Sequence, residues 1–137
     1  MAGPSILESA VAVVGLGIDV VDIERATAML LPRRRRVLDR LLTTGELEYV
    51  NRMRYPARHL AVRLAAKEAV YKALQSLPDA RPVGWREIEV IRGPHGKPSI
   101  TLHGQAARVV AARLGARVHV SLTHSDLSAV AVAILED

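Results

Sequence analysis

The chain contains no cysteine and no phenylalanine, and only one tryptophan. The missing thiol excludes a disulfide framework, thiol catalysis and any thiolate metal site. The shortage of aromatics means that the core must be assembled from Ala, Val, Leu and Ile, which dominate the apolar half of the 137 residues. No segment approaches the ~20 uncharged apolar residues that cross a bilayer. Met1 to Leu16 is mildly apolar, but it lacks a basic leading region and carries Glu8, so it fits poorly as a signal peptide. A Walker-type Gly-rich loop is absent too, which argues against an ordinary P-loop nucleotide hydrolase. There is no internal repeat, low-complexity tract or linker. The expectation is one soluble, cytoplasmic domain, large enough for a real core and without a membrane partner.

What is present is basic. Nineteen Lys and Arg against fourteen Asp and Glu give a net charge of +5 and a pI near 10.2, which points to an anionic partner. The charge is clustered: Arg33-Arg34-Arg35-Arg36 is followed by Arg40, Arg52, Arg54 and Arg58. Such a run is as often a solvated face as a binding face. A basic nucleic-acid-binding domain is the alternative reading. Against it, no aromatics interleave with the arginines for base stacking, and no zinc-finger or RNA-recognition signature occurs.

Hydrophobic periodicity predicts a strand over Val11 to Asp22, with Gly15 and Gly17 permitting close packing or a bulge. A short helix from Ile23 to Leu31 stops at Pro32, and a basic segment runs from Arg33 to Leu42. Thr43 followed by Glu46 reads as a capped helix start, and Pro56 opens the next helix. That helix, about Ala57 to Ser76, dominates the chain. Val62, Ala66, Ala69, Val70, Ala73 and Leu77 form its apolar stripe, with Glu68, Lys72 and Gln75 opposite and Arg63 and Lys67 toward a flank. Strands over 87–92 and 99–102 flank the turn Gly93 to Pro98. An Ala-rich helix over 104–114 ends at Gly115, and strands over 118–124 and 129–135 pair across the turn 125–128. The predicted class is α+β, a mostly antiparallel sheet packed around one long helix.

Two acidic-in-apolar segments carry the chemistry. In Gly17-Ile18-Asp19-Val20-Val21-Asp22-Ile23, Asp19 interrupts what otherwise reads as a buried strand, where a carboxylate is costly unless paired, hydrogen-bonded or metal-bound. Asp22 fits the cap of the following helix, which leaves Asp19 more in need of a cation. In Arg63-Leu64-Ala65-Ala66-Lys67-Glu68-Ala69-Val70-Tyr71-Lys72, Glu68 stands four residues before Lys72. Alone, that is the order of a helix-surface pair worth only ~0.3–0.5 kcal/mol. Together with Asp19 it suggests two carboxylates sharing a hard cation while Arg63, Lys67 and Lys72 hold phosphate oxygens. His119 reads as a structural mid-strand histidine, whereas His124 ends a strand where clefts are lined.

These residues resemble the holo-acyl-carrier-protein synthases, the small class of 4′-phosphopantetheinyl transferases. The resemblance runs from Val14 to Glu136. It rests on Gly17-Ile18-Asp19, Leu42-Thr43 to Glu46, Arg63 to Ala69 with Lys72-Ala73-Leu74, Trp85 to Val90, Gly96-Lys97-Pro98, and Val120-Ser121-Leu122-Thr123-His124. It implies a phosphopantetheinyl transferase fold over residues 1–137, with 1–13 as an N-terminal extension. It also implies transfer of phosphopantetheine from coenzyme A to a serine of an acyl carrier protein or carrier domain, for fatty acid biosynthesis. In that family Asp19 and Glu68 match the residues that bind magnesium with the pyrophosphate. Lys72 and Arg63 match phosphate contacts; Gly96, Lys97, Pro98 and His124 line the coenzyme site; Arg25, Arg33 and Arg36 grip the acidic carrier. Glu68 acting through a water is the first candidate base and Lys72 the second. The family is typically a homotrimer with its sites between subunits. The chain departs from the pattern in its longer N-terminus, in Leu64 where an aromatic is frequent, and in Thr123 where Ser is common. The Leu64 change bears on contact with the adenine, not on the chemistry.

Overall fold

The computed structural model describes residues 12–137, so the start of the first expected strand and most of the extension lie outside the described residues. Five strands and five α-helices follow in the order β1 Val13–Asp22, α1 Ile23–Met29, α2 Arg35–Leu41, α3 Thr44–Arg52, α4 Pro56–Leu74, β2 Ile88–Arg92, β3 Pro98–Leu102, α5 Gly104–Ala111, β4 Arg117–His124 and β5 Ser128–Glu136. All pairings are antiparallel: β1, β5 and β4 form one sheet with β5 in the middle, and β2 and β3 form a hairpin. The expected α+β class and the long helix are both present.

The main sheet lies against α4, and the seam is unusually close. A Cβ at Gly15 or Gly17 would collide with the carbonyl oxygens of Ala73 and Ala69 of that helix, so only glycine lets β1 lie so near. The expected bulge is there as well, between Val13 and Gly15. Small residues continue the fit on β5, where Ala129, Ala131 and Ala133 are fully buried. A core without phenylalanine is thus closed by backbone approach rather than by large rings.

The burial of α4 differs from the expected stripe. Leu60, Ala61, Ala65, Ala66, Ala69, Val70, Ala73 and Leu74 are all fully enclosed, while Val62 is only half-buried. Arg63 and Lys67, expected on a flank, are also buried, at 4 % and 0 % exposure. The reason is that α4 is surrounded: the sheet covers one side, α1 a second, and α3 with β2 a third. A helix enclosed on several sides loses the single-stripe pattern that marks a surface helix.

The caps divide. Thr43 and Glu46 form the expected capping box, with Thr43 Oγ1 accepting from the Glu46 amide and Glu46 Oε1 accepting from the Thr43 amide. Asp22 occupies the position before α1, but its side chain makes no capping hydrogen bond. The first free amide of that helix, on Ile23, instead donates to the Leu127 carbonyl at 2.9 Å.

Candidate functional site

Two cavities bordering different stretches of α4 gather the candidate residues. The first, about 320 Å³, is lined by Asp19, Val20, Val21, Arg25, Met29, Leu41, Leu64, Glu68 and Trp85. Its two carboxylates arrive as the sequence pattern requires. The pleat of β1 turns Asp19 to the same face as Gly17 and Val21, against the helix, and Glu68 projects from α4 into the same space. Arg25 is the only other charged residue of the lining. Glu68 and Trp85 also border a neighbouring cavity of about 280 Å³ together with Lys67, Tyr71, Val83, Gly84 and Ile88.

Lys72 does not pair with Glu68 as the helical spacing suggested. Its Nζ reaches across to β1, donating to the Ile18 carbonyl at 3.0 Å and to Asp19 Oδ1 at 3.4 Å. Four residues of helix place the two side chains side by side, but β1 offers a carboxylate and a carbonyl together. The ammonium has three donors, so one N–H remains for a further oxygen.

Lys67, read from sequence as a phosphate donor, is unavailable. Its Nζ donates to the carbonyls of Trp85 at 2.9 Å and Ile88 at 2.5 Å and pairs with Glu46 Oε1 at 2.6 Å, so all three protons are spent. Glu46 is equally satisfied, since Oε2 accepts from the Val90 amide at 2.9 Å. Burial pulls the Lys67 pKa below the ordinary lysine range, with Glu46 opposing. The signal lay in its neighbours: Leu60, Leu64, Val70 and Leu74, at helical spacing around position 67, mark a core-facing lysine.

The second cavity, about 330 Å³, is lined by Tyr55, Arg58, His59, Val62, Arg92, Gly96, Pro98, Leu122, Thr123 and His124. Three expected residues meet here: Gly96 from the turn before β3, Pro98 from the first position of β3, and His124 from the end of β4. Lys97 is exposed beside them without lining the cavity. Arg63 lies beneath, its guanidinium 4.0 Å over the Tyr49 ring, its Nη1 donating to the His59 carbonyl at 3.4 Å and its Nε without a partner. Burial lowers the Arg63 pKa. The His59 pKa is lowered as well, first by burial and then by the positive neighbours Arg63, Arg92, His124 and Arg58.

Sequence reasoning met Arg58 only as part of the basic run and passed over His59 and Arg92. The first two open α4 nine or ten positions before Glu68, which is about 13–15 Å along the axis and roughly half a turn around it at nine. A search centred on Glu68 therefore looks at the wrong side of the helix. Of the carrier-binding candidates, Arg25 lines the acidic cavity, while Arg33 and Arg36 are exposed, the first in a 3₁₀ turn over Pro32–Arg34 and the second in α2.

For a metal, the first cavity offers two carboxylates; among the described residues no group of three or more His, Cys, Asp or Glu converges. That donor set suits a hard cation held by one or two carboxylates and completed by water and phosphate oxygens, and is unlike a zinc cage. No described helix is long and apolar enough to cross a membrane.

Comparison with known proteins adds identity to this geometry. The model of the 4′-phosphopantetheinyl transferase superfamily matches residues 15–127. A holo-[acyl-carrier-protein] synthase of Geobacter metallireducens is 39 % identical over 122 residues, covering 89 % of this chain and 96 % of that protein. The acyl carrier protein synthase of Mycobacterium tuberculosis superimposes with a TM-score of 0.69 at 40 % identity, covering 90 % of this chain and 97 % of that one. The Bacillus anthracis holo-(acyl-carrier-protein) synthase, solved in complex with CoA (3′,5′-ADP), gives a TM-score of 0.72 at 30 % identity, with 93 % and 98 % covered.

Proposed function

Because the chain belongs to the 4′-phosphopantetheinyl transferase superfamily, we propose that it acts as a holo-[acyl-carrier-protein] synthase, moving 4′-phosphopantetheine from coenzyme A to a serine of an apo acyl carrier protein or carrier domain. The observation that carries this reading is the convergence of Asp19 and Glu68, from a strand and a helix, in one cavity beside Lys72. A nucleic-acid-binding domain has no use for that pair, and the relatives give it no support.

In the reaction the serine oxygen attacks the phosphorus that bears pantetheine. The bond to the bridging pyrophosphate oxygen breaks, adenosine 3′,5′-bisphosphate departs, and the serine proton passes to a base. Asp19 and Glu68 hold Mg²⁺, which when bound supplies neutralisation of the phosphate charge. Lys72, anchored by Ile18 and Asp19, offers its remaining N–H to a phosphate oxygen. Glu68, acting through a water, is the first choice of base, and Lys72 the second. Gly96, Pro98, His124 and the adjacent Lys97 receive the coenzyme, with the charge of Arg63 buried behind His59, and Arg25, Arg33 and Arg36 receive the acidic carrier. The work falls in fatty acid biosynthesis, in the cytoplasm.

The protein acts as a homotrimer. The carboxylate cavity and the cationic cavity share no residue, and a neighbouring subunit that places its cationic cavity against Asp19 and Glu68 unites them. The outer face of the main sheet supports such contact: Leu16, Ile18 and Val20 are 64 %, 59 % and 58 % exposed, beside the half-exposed Val130, Val132 and Ile134 of β5. A strip of this kind marks an interaction surface.

The test is incubation with coenzyme A, magnesium and an apo carrier protein, followed by mass measurement of the carrier. The expected result is a gain of one phosphopantetheine, absent without magnesium and absent in Asp19→Ala. A carrier of unchanged mass with the parent protein overturns the reading.

A further inference from the structure

Tyr49 lies on α3, lines none of the cavities described, and yet touches four cationic or titratable groups. The Arg63 guanidinium stacks on its ring at 4.0 Å, and Arg52 sits at 5.8 Å from the ring centre. His59 meets the ring edge-on at 5.6 Å and 74°. The Tyr49 hydroxyl accepts a hydrogen bond from Arg92 Nη1 at 2.9 Å. Arg92 and His59 both line the cationic cavity, so one ring stands behind two of its walls.

The guanidinium of Arg92 also passes close to Gly96. A Cβ at Gly96, where φ is +76°, would lie 2.8 Å from Arg92 Nη2. The left-handed backbone at this position favours glycine. An exposed arginine ordinarily samples many rotamers; this one is anchored by the Tyr49 hydroxyl. A pre-placed guanidinium fork loses less entropy on binding and suits a planar pair of phosphate oxygens. The cavity wall carries Arg58, His59, Arg92 and His124 and no carboxylate, and Asp126 pairs with Arg58 at 3.3 Å. Concentrated positive charge of this kind fits a phosphate monoester, which approaches two negative charges near neutral pH.

We propose that Tyr49 is a positioning residue of the cationic cavity, and that through Arg92 it sets the preference of this cavity for a ligand bearing a phosphate monoester. The inference rests on the coenzyme A reading, since coenzyme A carries one such monoester on its ribose. Tyr49→Phe is the probe: it keeps the ring under Arg63 and removes the hydroxyl that accepts from Arg92. Steady-state rates are compared for coenzyme A and for its 3′-dephospho analogue. The ratio of their kcat/KM values should fall about three- to ten-fold in the variant, the scale of one hydrogen bond, with the loss carried by KM for coenzyme A. Arg92→Gln should lower the ratio at least as far, and adding Tyr49→Phe to it should lower the ratio no further. A ratio that stays at the parent value in Tyr49→Phe, or equal losses for both coenzymes, overturns the proposal. Calorimetric titration with adenosine 3′,5′-bisphosphate reads the same effect without turnover: weaker binding by Tyr49→Phe is expected, and equal binding overturns it. A parent that binds this nucleotide but transfers nothing would sink the transferase reading and leave the role of Tyr49 standing.

Discussion

Around Lys67, α4 is closed: the ammonium is fully buried, its three donors are matched to two carbonyls and Glu46, and the carboxylate is matched in turn by Lys67 and two backbone amides. Around Lys72, five residues on, the same helix is open: the side chain is 47 % exposed, pairs with Asp19 at 3.4 Å and keeps a donor in reserve. Both lysines fall within one motif, yet they do different work. Complete satisfaction makes Lys67 a fastener joining α4, α3 and the start of β2. Incomplete satisfaction makes Lys72 available to a ligand. The difference teaches that a cation's function is read from the acceptors it has left over, not from its place in a motif.

The largest expected effect falls on the closed side. Lys67→Met keeps the length of the side chain but strands the Glu46 carboxylate in the core, and removing one partner of a buried pair costs about 3–5 kcal/mol. Urea denaturation followed by the fluorescence of Trp85, the only tryptophan, gives the measurement. A loss below about 1 kcal/mol would break the comparison, because Lys67 would then be no more of a fastener than Lys72.

On the open side the effect should move from stability to rate. Lys72→Ala is expected to reduce turnover by ~10²-fold or more, the scale of one electrostatic or proton-transfer contact. Its unfolding free energy should change by at most about 1 kcal/mol, since a half-exposed ion pair contributes little. Lys72→Arg sharpens the assignment: partial activity favours phosphate binding, and none favours a base, because guanidinium does not give up its proton. Turnover equal to the parent's in Lys72→Ala would reduce the open lysine to a surface salt bridge.

How far the sequence was legible follows the same division. The glycine pair of β1, the capping box and the strand boundaries come from local rules, and the fold obeys them. That Asp19 and Glu68 would line one cavity was legible because a carboxylate inside an apolar run is expensive wherever it occurs. Lys67 was misread because its partner Glu46 is twenty-one positions away and was already accounted for as a helix cap. A side chain that serves two roles hides the second. Asp22 had the right residue type at the right position, but a long-range amide–carbonyl bond to Leu127 took the place of the cap. The cationic cavity was half visible. Gly96, Pro98 and His124 sit at turns and strand ends, whereas Arg92, His59 and Tyr49 meet only through the packing of α3, α4 and β2, which no local pattern encodes.

The smallest expected effect lies where neither kind of constraint operates. Arg33 and Arg36 are exposed, and none of the hydrogen bonds or ion pairs among the described residues engages their side chains, in contrast to Arg35, which pairs with Asp39 at 3.2 Å. Arginines left free on a short helix contribute little to the fold, and their charge acts at a distance by steering an acidic partner. Arg33→Ala with Arg36→Ala should therefore raise KM for the carrier protein by several-fold to about ten-fold and leave KM for coenzyme A and the unfolding midpoint nearly unchanged. Salt supplies the control. Because screening sets in over about 8–10 Å at 0.1–0.15 M ionic strength, KM for the carrier should climb with salt in the parent and climb less steeply in the double variant. A variant with equal losses for both substrates would place these arginines with Lys67 as parts of the fold. A parent whose carrier KM ignores salt would remove the electrostatic basis for assigning them to the carrier.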